Sequence, residues 1–399
     1  MNSKDYIDLE KKYGAHNYKP LDVVLQKGKG VWVFDDQGNR YLDCLSAYSA
    51  LNQGHVHPKI LDVMIEQAKK LTLTSRAFYN DQLPLLYKEL CELTGYEMAI
   101  AMNSGAEAVE TALKIARKWA YKVKGIPKYK AEIIVADGNF HGRTITIISF
   151  SSEDFYRDDF GPFTSGFINV PYDDIGAIAN SITSNTAGIL IEPIQGEGGV
   201  IIPEKGYLRK ISDICHENNI LMMADEIQTG LGRTGKLFAC DHEGVRPDVM
   251  IIGKALSAGF YPVSAVLTDE NILGLFNPGE HGSTFGGNPL GAAIARMSLK
   301  VIVEENLIEN AEKMGTYFYE RLCEIPQKNI KEIRSKGLLI GVEIKEEYGD
   351  ARKYCELLRE EGILAKETHD STIRFAPPLI IDQETIDWAI PRIQKALQS

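Results

Sequence analysis

Short apolar runs alternate with longer amphipathic segments between residues 97 and 268, and this alternation constrains the fold more than any other feature of the chain. Several runs are apolar throughout instead of at every second residue, which is typical of strands buried on both faces of a mainly parallel sheet. Strands alternating with helices predict an α/β fold, whose ligands bind at the carboxyl ends of the strands. The seven strand-like runs are residues 97–102, 132–136, 144–150, 188–191, 220–224, 249–252 and 263–267.

The first strand-like run is followed by a helix with a well-marked start. Its apolar positions Val109, Leu113 and Ala116 recur at three- and four-residue spacing. Ser104 and Glu107 form a capping box of the S-x-x-E kind. The first N–H groups of a helix lack partners within the helix and lie at the positive end of its dipole, so this start offers a site for an anion.

After residue 285 the pattern changes to that of a smaller α+β domain. Asn288 and Pro289 look like the N-cap and the first residue of a long helix that runs towards Cys323. The elements predicted beyond it are a strand over 338–344, a helix over 350–361, a strand over 372–376 and a final helix.

The first 45 residues contain a predicted hairpin turn at residues 35–39, and we expect this segment to pack on the smaller domain. The predicted division is therefore an N-terminal segment over 1–45, a large domain over 46–287 and a small C-terminal domain over 288–399.

Charge and composition exclude several classes of function. The 44 basic and 55 acidic residues give a net charge of −11, which argues against a nucleic-acid or anionic-membrane partner. The acidic N-terminus has no signal-peptide pattern, and no run of about 18 apolar residues exists to span a bilayer, so we expect a cytoplasmic protein. None of the six cysteines forms a C-x-x-C pair, and no metal site is predicted.

Three features that carry chemistry are expected at one edge of the sheet. Asp225 follows the strand-like run 220–224, and Lys254 follows the run 249–252 after a single glycine. The capped helix start at Ser104 supplies the third feature, a cradle for an anion. A lysine, a carboxylate and a phosphate cradle suit pyridoxal phosphate, with Lys254 forming the Schiff base and Asp225 pairing with the ring nitrogen.

A glycine-rich segment offers an alternative of a different class. Residues 230–236 match G-x-G-x-x-G and nearly match the loop G-x-x-x-x-G-K-[ST] of nucleotide-binding proteins. Leu237 stands where a magnesium-binding hydroxyl is required, and no amphipathic helix follows. A P-loop nucleotide-binding protein therefore remains an alternative that these residues disfavour.

Motifs spread from residue 13 to residue 379 resemble those of the class III aminotransferases, also called subgroup II, of the fold-type I pyridoxal-phosphate enzymes. The resemblance implies a large domain with a mainly parallel seven-stranded sheet and a smaller α+β domain. The matching motifs are YGAHNY (13–18), SAYSALNQGH (46–55), MNSGAEAVETALK (102–114), NFHGRT (139–144), EPIQGEGGV (192–200), ADEIQTG (224–230), GKALS (253–257), GEHGSTFGGNPL (279–290) and RFAPPL (374–379).

The resemblance implies how the chain holds its cofactor ring. Lys254 would be the Schiff-base lysine and the acid/base of the reaction. Asp225 would keep the ring nitrogen protonated, Gln228 would bond the 3-oxygen, and Phe140 would stack on the ring.

The resemblance also implies where the cofactor phosphate binds. The backbone of Gly105 and Ala106, with Ser104 adjacent, matches the phosphate donors of the family. Thr284 matches a residue that reaches the phosphate of the partner subunit. The resemblance therefore implies a homodimer or a higher oligomer with shared active sites.

Five further residues are implied as the substrate site. Arg143 resembles the arginine that binds the distal carboxylate, and Arg374 resembles the one that binds the α-carboxylate of an ordinary amino acid. Tyr18 and Tyr48 resemble the pair that lines a pocket for ornithine, with Tyr18 on its α-amino group. Glu197 resembles the residue that pairs with the arginine at position 374 and masks it.

These matches imply transfer of the δ-amino group of L-ornithine to 2-oxoglutarate, with glutamate 5-semialdehyde and glutamate as products. The segments EPIQGEGGV and HGSTFGGNPL also resemble those of family members that act on N-acetylornithine. Activity on N-acetylornithine or 4-aminobutyrate therefore remains the alternative within the family.

Overall fold

The computed structural model describes residues 1–398. The strands are β1 (Leu25–Lys29), β2 (Trp32–Asp35), β3 (Arg40–Asp43), β4 (Met98–Met102), β5 (Glu132–Ala136), β6 (Phe167–Val170), β7 (Thr186–Ile191), β8 (Leu221–Asp225), β9 (Val249–Ile252), β10 (Ser264–Thr268), β11 (Ile330–Lys336), β12 (Leu339–Ile344), β13 (Ile363–Leu364), β14 (Lys366–Thr368) and β15 (Thr372–Phe375). The α-helices are α1 (Ser3–Tyr13), α2 (Ser46–Ser49), α3 (Pro58–Lys70), α4 (Leu83–Thr94), α5 (Gly105–Trp119), α6 (Ile145–Ile148), α7 (Asp154–Arg157), α8 (Ile175–Asn180), α9 (Tyr207–Glu217), α10 (Glu270–Leu273), α11 (Pro289–Glu304), α12 (Leu307–Cys323), α13 (Ala351–Glu360) and α14 (Gln383–Leu397).

A seven-stranded sheet in the order β4-β10-β9-β8-β7-β5-β6 forms the centre of the molecule. Strand β10 runs antiparallel to both of its neighbours, and the pairs from β9 to β6 are parallel. Strands β7 to β10 are buried along their whole length. The predicted mainly parallel sheet with two covered faces is therefore confirmed.

Helices cover both faces of this sheet because alternate strand residues point to opposite sides. On one face, Leu190 and Met223 belong to the same apolar cluster as Ile115 of α5. On the other face, Met222 packs in a cluster that contains Ile211 of α9. The sheet is thus held rigidly between two helical layers, which fixes the positions of the side chains at its edge.

The strand predicted over residues 144–150 is wrong. Residues Ile145–Ile148 form the short helix α6, and the hydroxyl of Thr144 caps it by accepting the N–H of Ile147 at 3.2 Å. The seventh strand is Phe167–Val170, which pairs in parallel with β5. A short apolar run fits a buried helical turn as well as a strand, and the N-cap threonine decided between them here.

The C-terminal part contains a second, antiparallel sheet in the order β11-β12-β15-β14. The predicted cap at Asn288 is confirmed, since its side-chain oxygen accepts the N–H of Gly291 at 2.7 Å. The prediction of a single long helix from Pro289 towards Cys323 is wrong, because the helix is interrupted between α11 and α12. At the break Asn306 has a left-handed backbone (φ +53°), which asparagine tolerates better than most residues.

The N-terminal segment forms a small sheet in the order β1-β2-β3-β13. The predicted hairpin turn lies between β2 and β3, which pair antiparallel. Strand β13 comes from the C-terminal part of the chain and pairs in parallel with β3. This pairing supports the predicted packing of the first 45 residues, whereas the domain boundaries at 45 and 287 remain predictions.

Across residues 1–398, none of the helices combines the length and the apolar character that a membrane span requires. The same residues contain no group of three or more His, Cys, Asp or Glu side chains arranged to hold a metal ion. The cytoplasmic location stays a prediction.

Candidate active site

A cavity of about 210 Å³ lies where the central strands end and helix α5 begins. Asp225 is the last residue of β8, and Lys254 follows β9 after one residue. Parallel strands place their carboxyl ends at the same edge of a sheet, which brings these two side chains together. The residues that line the cavity are Gly105, Ala106, Phe140, His141, Gly142, Glu192, Ile194, Asp225, Ile227, Gln228, Thr229 and Lys254.

Lys254 begins a single 3₁₀ turn and has a left-handed backbone, with φ at +40°. Its carbonyl accepts a hydrogen bond from the Ser257 hydroxyl at 2.7 Å, which holds the turn. Burial lowers the pKa of the Lys254 amine, and the charges of Glu197 and Asp225 oppose this shift. A lysine with a lowered pKa in a cleft is a candidate nucleophile and proton acceptor, and strained backbone of this kind is concentrated at functional sites.

Asp225 is buried and bonded through both of its carboxylate oxygens. One oxygen lies 2.7 Å from Nδ1 of His141, and the other accepts the N–H of Ile227 at 3.0 Å. Burial lowers the pKa of the His141 imidazole. The hydrogen bond to Asp225 and the charge of that carboxylate outweigh this effect and raise the pKa overall. His141 thus fixes the orientation of the carboxylate. The sequence analysis missed it, although it lies in the quoted segment NFHGRT.

Glu192 is a second buried residue that the sequence analysis missed. Its carboxyl accepts the N–H of Phe140 at 3.0 Å, and this contact holds the aromatic residue in the cavity wall. Burial and the neighbouring charge of Asp225 raise the pKa of Glu192 to about 8. The surroundings of Glu192 therefore favour its neutral form. Its position in the segment EPIQGEGGV, directly after the buried strand β7, was the available signal.

The start of α5 has the predicted capping box. The Ser104 hydroxyl accepts the N–H of Glu107 at 3.2 Å, and the Glu107 carboxylate accepts the N–H of Ser104 at 2.8 Å. Gly105 and Ala106 line the cavity, and their N–H groups have no hydrogen-bond partner among residues 1–398. A Cβ atom at Gly105 would lie 3.0 Å from the Ile227 side chain, so glycine permits the close packing of α5 here.

Arg374 is fully buried on β15 and forms an ion pair with Glu197 at 2.7 Å. Gln228 joins the pair, because its amide oxygen accepts from Arg374 at 3.0 Å and its amide nitrogen donates to Glu197 at 3.2 Å. Burial would raise the pKa of Glu197, but the charges of Arg374 and Lys254 lower it overall. The Arg374 guanidinium also lies over the ring of Tyr48, 5.1 Å from its centroid. Four predicted residues are thus in contact.

The remaining predicted residues lie around this centre. Arg143 lies over the rings of Phe140 and Tyr156, at 5.7 and 4.6 Å from their centroids. Tyr18 is exposed and lines a neighbouring cavity of about 470 Å³, which Tyr48 also lines. The sequence analysis missed Tyr156, for which no motif gave a signal.

Thr284 is exposed in the loop before α11 and lies outside the cavity. Its contact with a partner subunit therefore remains a prediction.

The glycine-rich segment 230–236 does not form a phosphate loop. Arg233 in its middle is fully buried, and its guanidinium donates to the carbonyls of Leu338 and Pro377 and to Asn52. The segment leads into a 3₁₀ turn over Ala239–Glu243 instead of an α-helix. Arg233 therefore links this segment to the C-terminal part of the chain. The segment offers no phosphate-binding loop for the nucleotide-binding alternative.

The residues present fit pyridoxal phosphate. The cavity holds an amine without a hydrogen-bonding partner in the described chain, a buried carboxylate and two unbonded backbone N–H groups. His141 Nε2 is a buried polar atom that lacks a partner among the same residues. Buried polar groups are normally satisfied, so this donor set is suited to a polar, anionic group in the cavity.

Comparison with known proteins agrees with this chemistry. The chain is 58% identical to an ornithine aminotransferase from Brevibacillus brevis over 98% of this chain and 97% of that protein. An ornithine aminotransferase structure from Toxoplasma gondii, which has partial occupancy of the cofactor at its active site, is 45% identical, with a TM-score of 0.98 over 100% of this chain and 94% of that one. An acetylornithine aminotransferase structure from Elizabethkingia anophelis is 47% identical, with a TM-score of 0.91 over 100% of this chain and 99% of that one.

The family model for class-III aminotransferases matches residues 13–397, which is nearly the whole chain. Members of this family use pyridoxal phosphate, in agreement with the donor set of the cavity. The chain belongs to the class-III aminotransferase family.

Proposed function

We propose that this enzyme transfers the δ-amino group of L-ornithine to 2-oxoglutarate and forms glutamate 5-semialdehyde and glutamate. The buried pair of Arg374 and Glu197 beside the Lys254 cavity carries the proposal. Ornithine brings one carboxylate and 2-oxoglutarate brings two, so the site needs one arginine that is masked in only one half-reaction. Relatives that are 54–58% identical over at least 98% of this chain are named ornithine aminotransferases, which supports this choice of amine donor.

Pyridoxal phosphate, when bound, supplies an electron sink for the carbon that loses its proton. In the proposal the free N–H groups of Gly105 and Ala106 bind its phosphate, with Ser104 adjacent, and Phe140 stacks on its ring. Asp225, oriented by its contact with His141, holds a proton at the ring nitrogen. Gln228, which also lines the cavity, would donate to the 3-oxygen.

Lys254 is proposed to remove the proton from the δ-carbon of ornithine. A neutral amine is required for this step, and burial favours the neutral form by lowering the pKa of Lys254. Its Nζ makes no hydrogen bond within residues 1–398, which leaves the amine available to the substrate.

In the ornithine half-reaction the ion pair between Glu197 and Arg374 stays closed. Arg143 then binds the α-carboxylate and Tyr18 contacts the α-amino group, with Tyr48 lining the pocket. With the α-carboxylate held away from Arg374, the δ-amine is the one that reaches the cofactor.

In the second half-reaction 2-oxoglutarate displaces Glu197 and one of its carboxylates binds Arg374. The exchange is feasible because one carboxylate replaces another. Leaving the buried arginine unpaired would cost about 3–5 kcal/mol, as does breaking one side of a buried ion pair. Two guanidinium nitrogens of Arg374, Nε and Nη2, are buried without partners in the described chain and are available to the incoming group.

Replacement of Glu197 by alanine tests this switch. We expect the glutamate half-reaction to be maintained or accelerated, because Arg374 is then open to an α-carboxylate. The ornithine half-reaction should lose its preference for the δ-amine for the same reason. Single-turnover kinetics on each substrate, with identification of the keto product, measures both effects.

Glu89→Ala is the matched control, because it also removes a carboxylate paired with an arginine, here Arg296, but away from the cavity. It should alter neither half-reaction. If Glu197→Ala slows both half-reactions equally and only glutamate 5-semialdehyde appears, the switch is wrong and Glu197 is a structural residue.

Thr284 is proposed to contact the cofactor phosphate of a partner subunit in a homodimer or larger assembly. We expect Thr284→Ala to weaken cofactor binding by about tenfold or more, the usual effect of losing a hydrogen bond to a charged group. Chains with Thr284→Ala mixed with inactive Lys254→Ala chains should recover activity, because each mixed dimer has one site with both residues intact.

A mixture of Lys254→Ala with Asp225→Asn chains is the control for this experiment. Both residues line the cavity of the same chain. Each site of the mixed dimer therefore lacks one of them, and no recovery is expected. A shared site would be excluded if the mixture of Thr284→Ala and Lys254→Ala chains were no more active than the two variants assayed separately and added.

A further inference from the structure

Arg143 is held by aromatic rings instead of by hydrogen bonds. Among residues 1–398 its guanidinium has no ion pair and no hydrogen bond. The guanidinium carbon lies 4.6 Å from the ring centroid of Tyr156 and 5.7 Å from that of Phe140. A cation over a ring face is attracted by the negative π-surface. Its N–H groups therefore remain available to another acceptor.

Tyr156 is itself firmly placed. It lies on the short helix α7 and packs edge-on against Phe140, with ring centroids 5.8 Å apart. The segment before α7 is tied to the turn that leads into Phe140, because the Ser152 hydroxyl accepts the N–H of Gly138 at 2.7 Å. The ring of Phe155 also contacts that of Tyr156, with the two ring centroids 4.0 Å apart. The position of the Tyr156 ring is therefore coupled to that of a cavity residue.

Tyr156 lies near two of the proposed substrate residues, Glu197 and Tyr18. Burial raises the pKa of the Tyr156 hydroxyl, the charge of Arg143 opposes this shift, and the charges of Glu197 and Tyr18 add to it. The ring that supports Arg143 thus lies close enough to the substrate site to interact electrostatically with two residues of it.

We propose that Tyr156 is a positioning residue that holds the guanidinium of Arg143 in the orientation that binds a substrate carboxylate. This inference deepens the proposed function and rests on it, because it assumes that Arg143 binds the α-carboxylate of ornithine. A planar guanidinium binds a carboxylate through two parallel hydrogen bonds, and this geometry needs a fixed plane. The Tyr156 ring face beneath the guanidinium supplies the constraint without consuming any N–H donor. The ring is required and the hydroxyl is not.

The test compares Tyr156→Leu with Tyr156→Phe in the holoenzyme. We expect Tyr156→Leu to raise KM for ornithine by about three- to tenfold, the effect of losing a moderately exposed cation–π contact. The value of kcat should stay within about twofold, because the group acts on binding and not on the proton transfer. Tyr156→Phe keeps the ring and should restore KM to the wild-type value. Tyr129→Leu, at a tyrosine that is 90% exposed, is the matched control and should change neither constant.

A second substrate separates carboxylate binding from other effects. The diamine 1,4-diaminobutane is ornithine without its carboxylate, so its kcat/KM should be the same in Tyr156→Leu and the wild type. Cofactor affinity, measured by titration, should also be unchanged. A loss that is equal for both amines, or a loss of cofactor affinity, would show that Tyr156 supports Phe140 instead of Arg143 and would overturn the inference.

Arg143→Leu distinguishes failure of the inference from failure of the proposed function. If Arg143→Leu leaves KM for ornithine unchanged, Arg143 does not bind the carboxylate, and both proposals fail. If Arg143→Leu raises KM but Tyr156→Leu does not, the proposed substrate site stands and only the positioning role of Tyr156 is overturned.

Discussion

Replacement of Lys254 by alanine is expected to lower turnover of ornithine by about 10⁴-fold or more, the upper range for loss of a general acid–base group. The reason is that one amine bonds to the cofactor and also moves the substrate proton. The residue has both properties that these roles require, a position in the cavity wall and a pKa lowered by burial. Steady-state assays at saturating cofactor measure the loss. Near-normal activity would exclude Lys254 as the catalytic residue.

The same variant should fold, and without cofactor it should be at least as stable as the wild type at neutral pH. A lysine whose pKa is lowered on folding binds its proton more weakly in the native state than in the unfolded state, so the native state is penalised at a pH below the ordinary lysine pKa. The stability advantage of Lys254→Ala should therefore shrink as pH rises towards the ordinary lysine pKa of about 10.4. Thermal unfolding of both cofactor-free proteins, from neutral pH up to about this pKa, measures the difference in their stability.

Lys236→Ala is the control that separates two functional classes. Lys236 is the exposed lysine of the glycine-rich segment 230–236, and a nucleotide-binding function would depend on it. We expect this variant to retain full transaminase activity.

Asp225→Asn is expected to slow both half-reactions by about 10²–10⁴-fold. Breaking one side of a buried ion pair costs about 3–5 kcal/mol, and each 1.36 kcal/mol in the barrier corresponds to about a factor of ten in rate. Asparagine is nearly the same size but neutral, so it cannot favour a proton on the ring nitrogen. The contact with Nδ1 of His141 shows that the carboxylate has one fixed orientation, which limits compensation by movement. Rapid mixing of each variant with ornithine or glutamate, at saturating cofactor, gives the two rates.

Asp248→Asn is the matched control for this prediction. Asp248 is also an aspartate next to the central strands, and its carboxylate accepts the N–H of Met222 at 2.7 Å outside the cavity. An asparagine oxygen can accept the same bond, so both rates should remain close to those of the wild type. A loss below about threefold in Asp225→Asn would show that Asp225 does not face the ring.

The elements whose patterns are local were predictable from the sequence. The start of α5 depends on a capping box within four residues. Strand β9 is apolar throughout and β5 is apolar after Glu132, and the predicted bounds of both match the structure. The run 144–150 failed because an apolar segment of this length also fits a helical turn. Strand β6 was missed because only Val170 of it is buried, and the segment is a strand through its pairing with β5, which its own sequence does not encode.

The residues of the candidate site also divide into those marked by a local sequence pattern and those that depend on distant contacts. Lys254 and Asp225 were predictable because each lies at or just beyond the carboxyl end of a buried strand, and such strands end at one edge of the sheet. His141, Glu192 and Tyr156 were missed because their importance depends on contacts across the sequence, such as the bond from Glu192 to the backbone of Phe140. The ion pair between Glu197 and Arg374 joins residues 177 positions apart, and only the resemblance to a family predicted it.

The most direct test of the proposed function follows the nitrogen atom. Ornithine labelled with a heavy nitrogen isotope at the δ-amine is incubated with the holoenzyme and 2-oxoglutarate, and a second sample carries the label at the α-amine. Mass spectrometry of the glutamate formed identifies the transferred atom. We expect labelled glutamate from the δ-labelled sample and unlabelled glutamate from the α-labelled one, with glutamate 5-semialdehyde as the other product. Labelled glutamate from the α-labelled sample, or no glutamate from either when N-acetylornithine or 4-aminobutyrate does react, would contradict it.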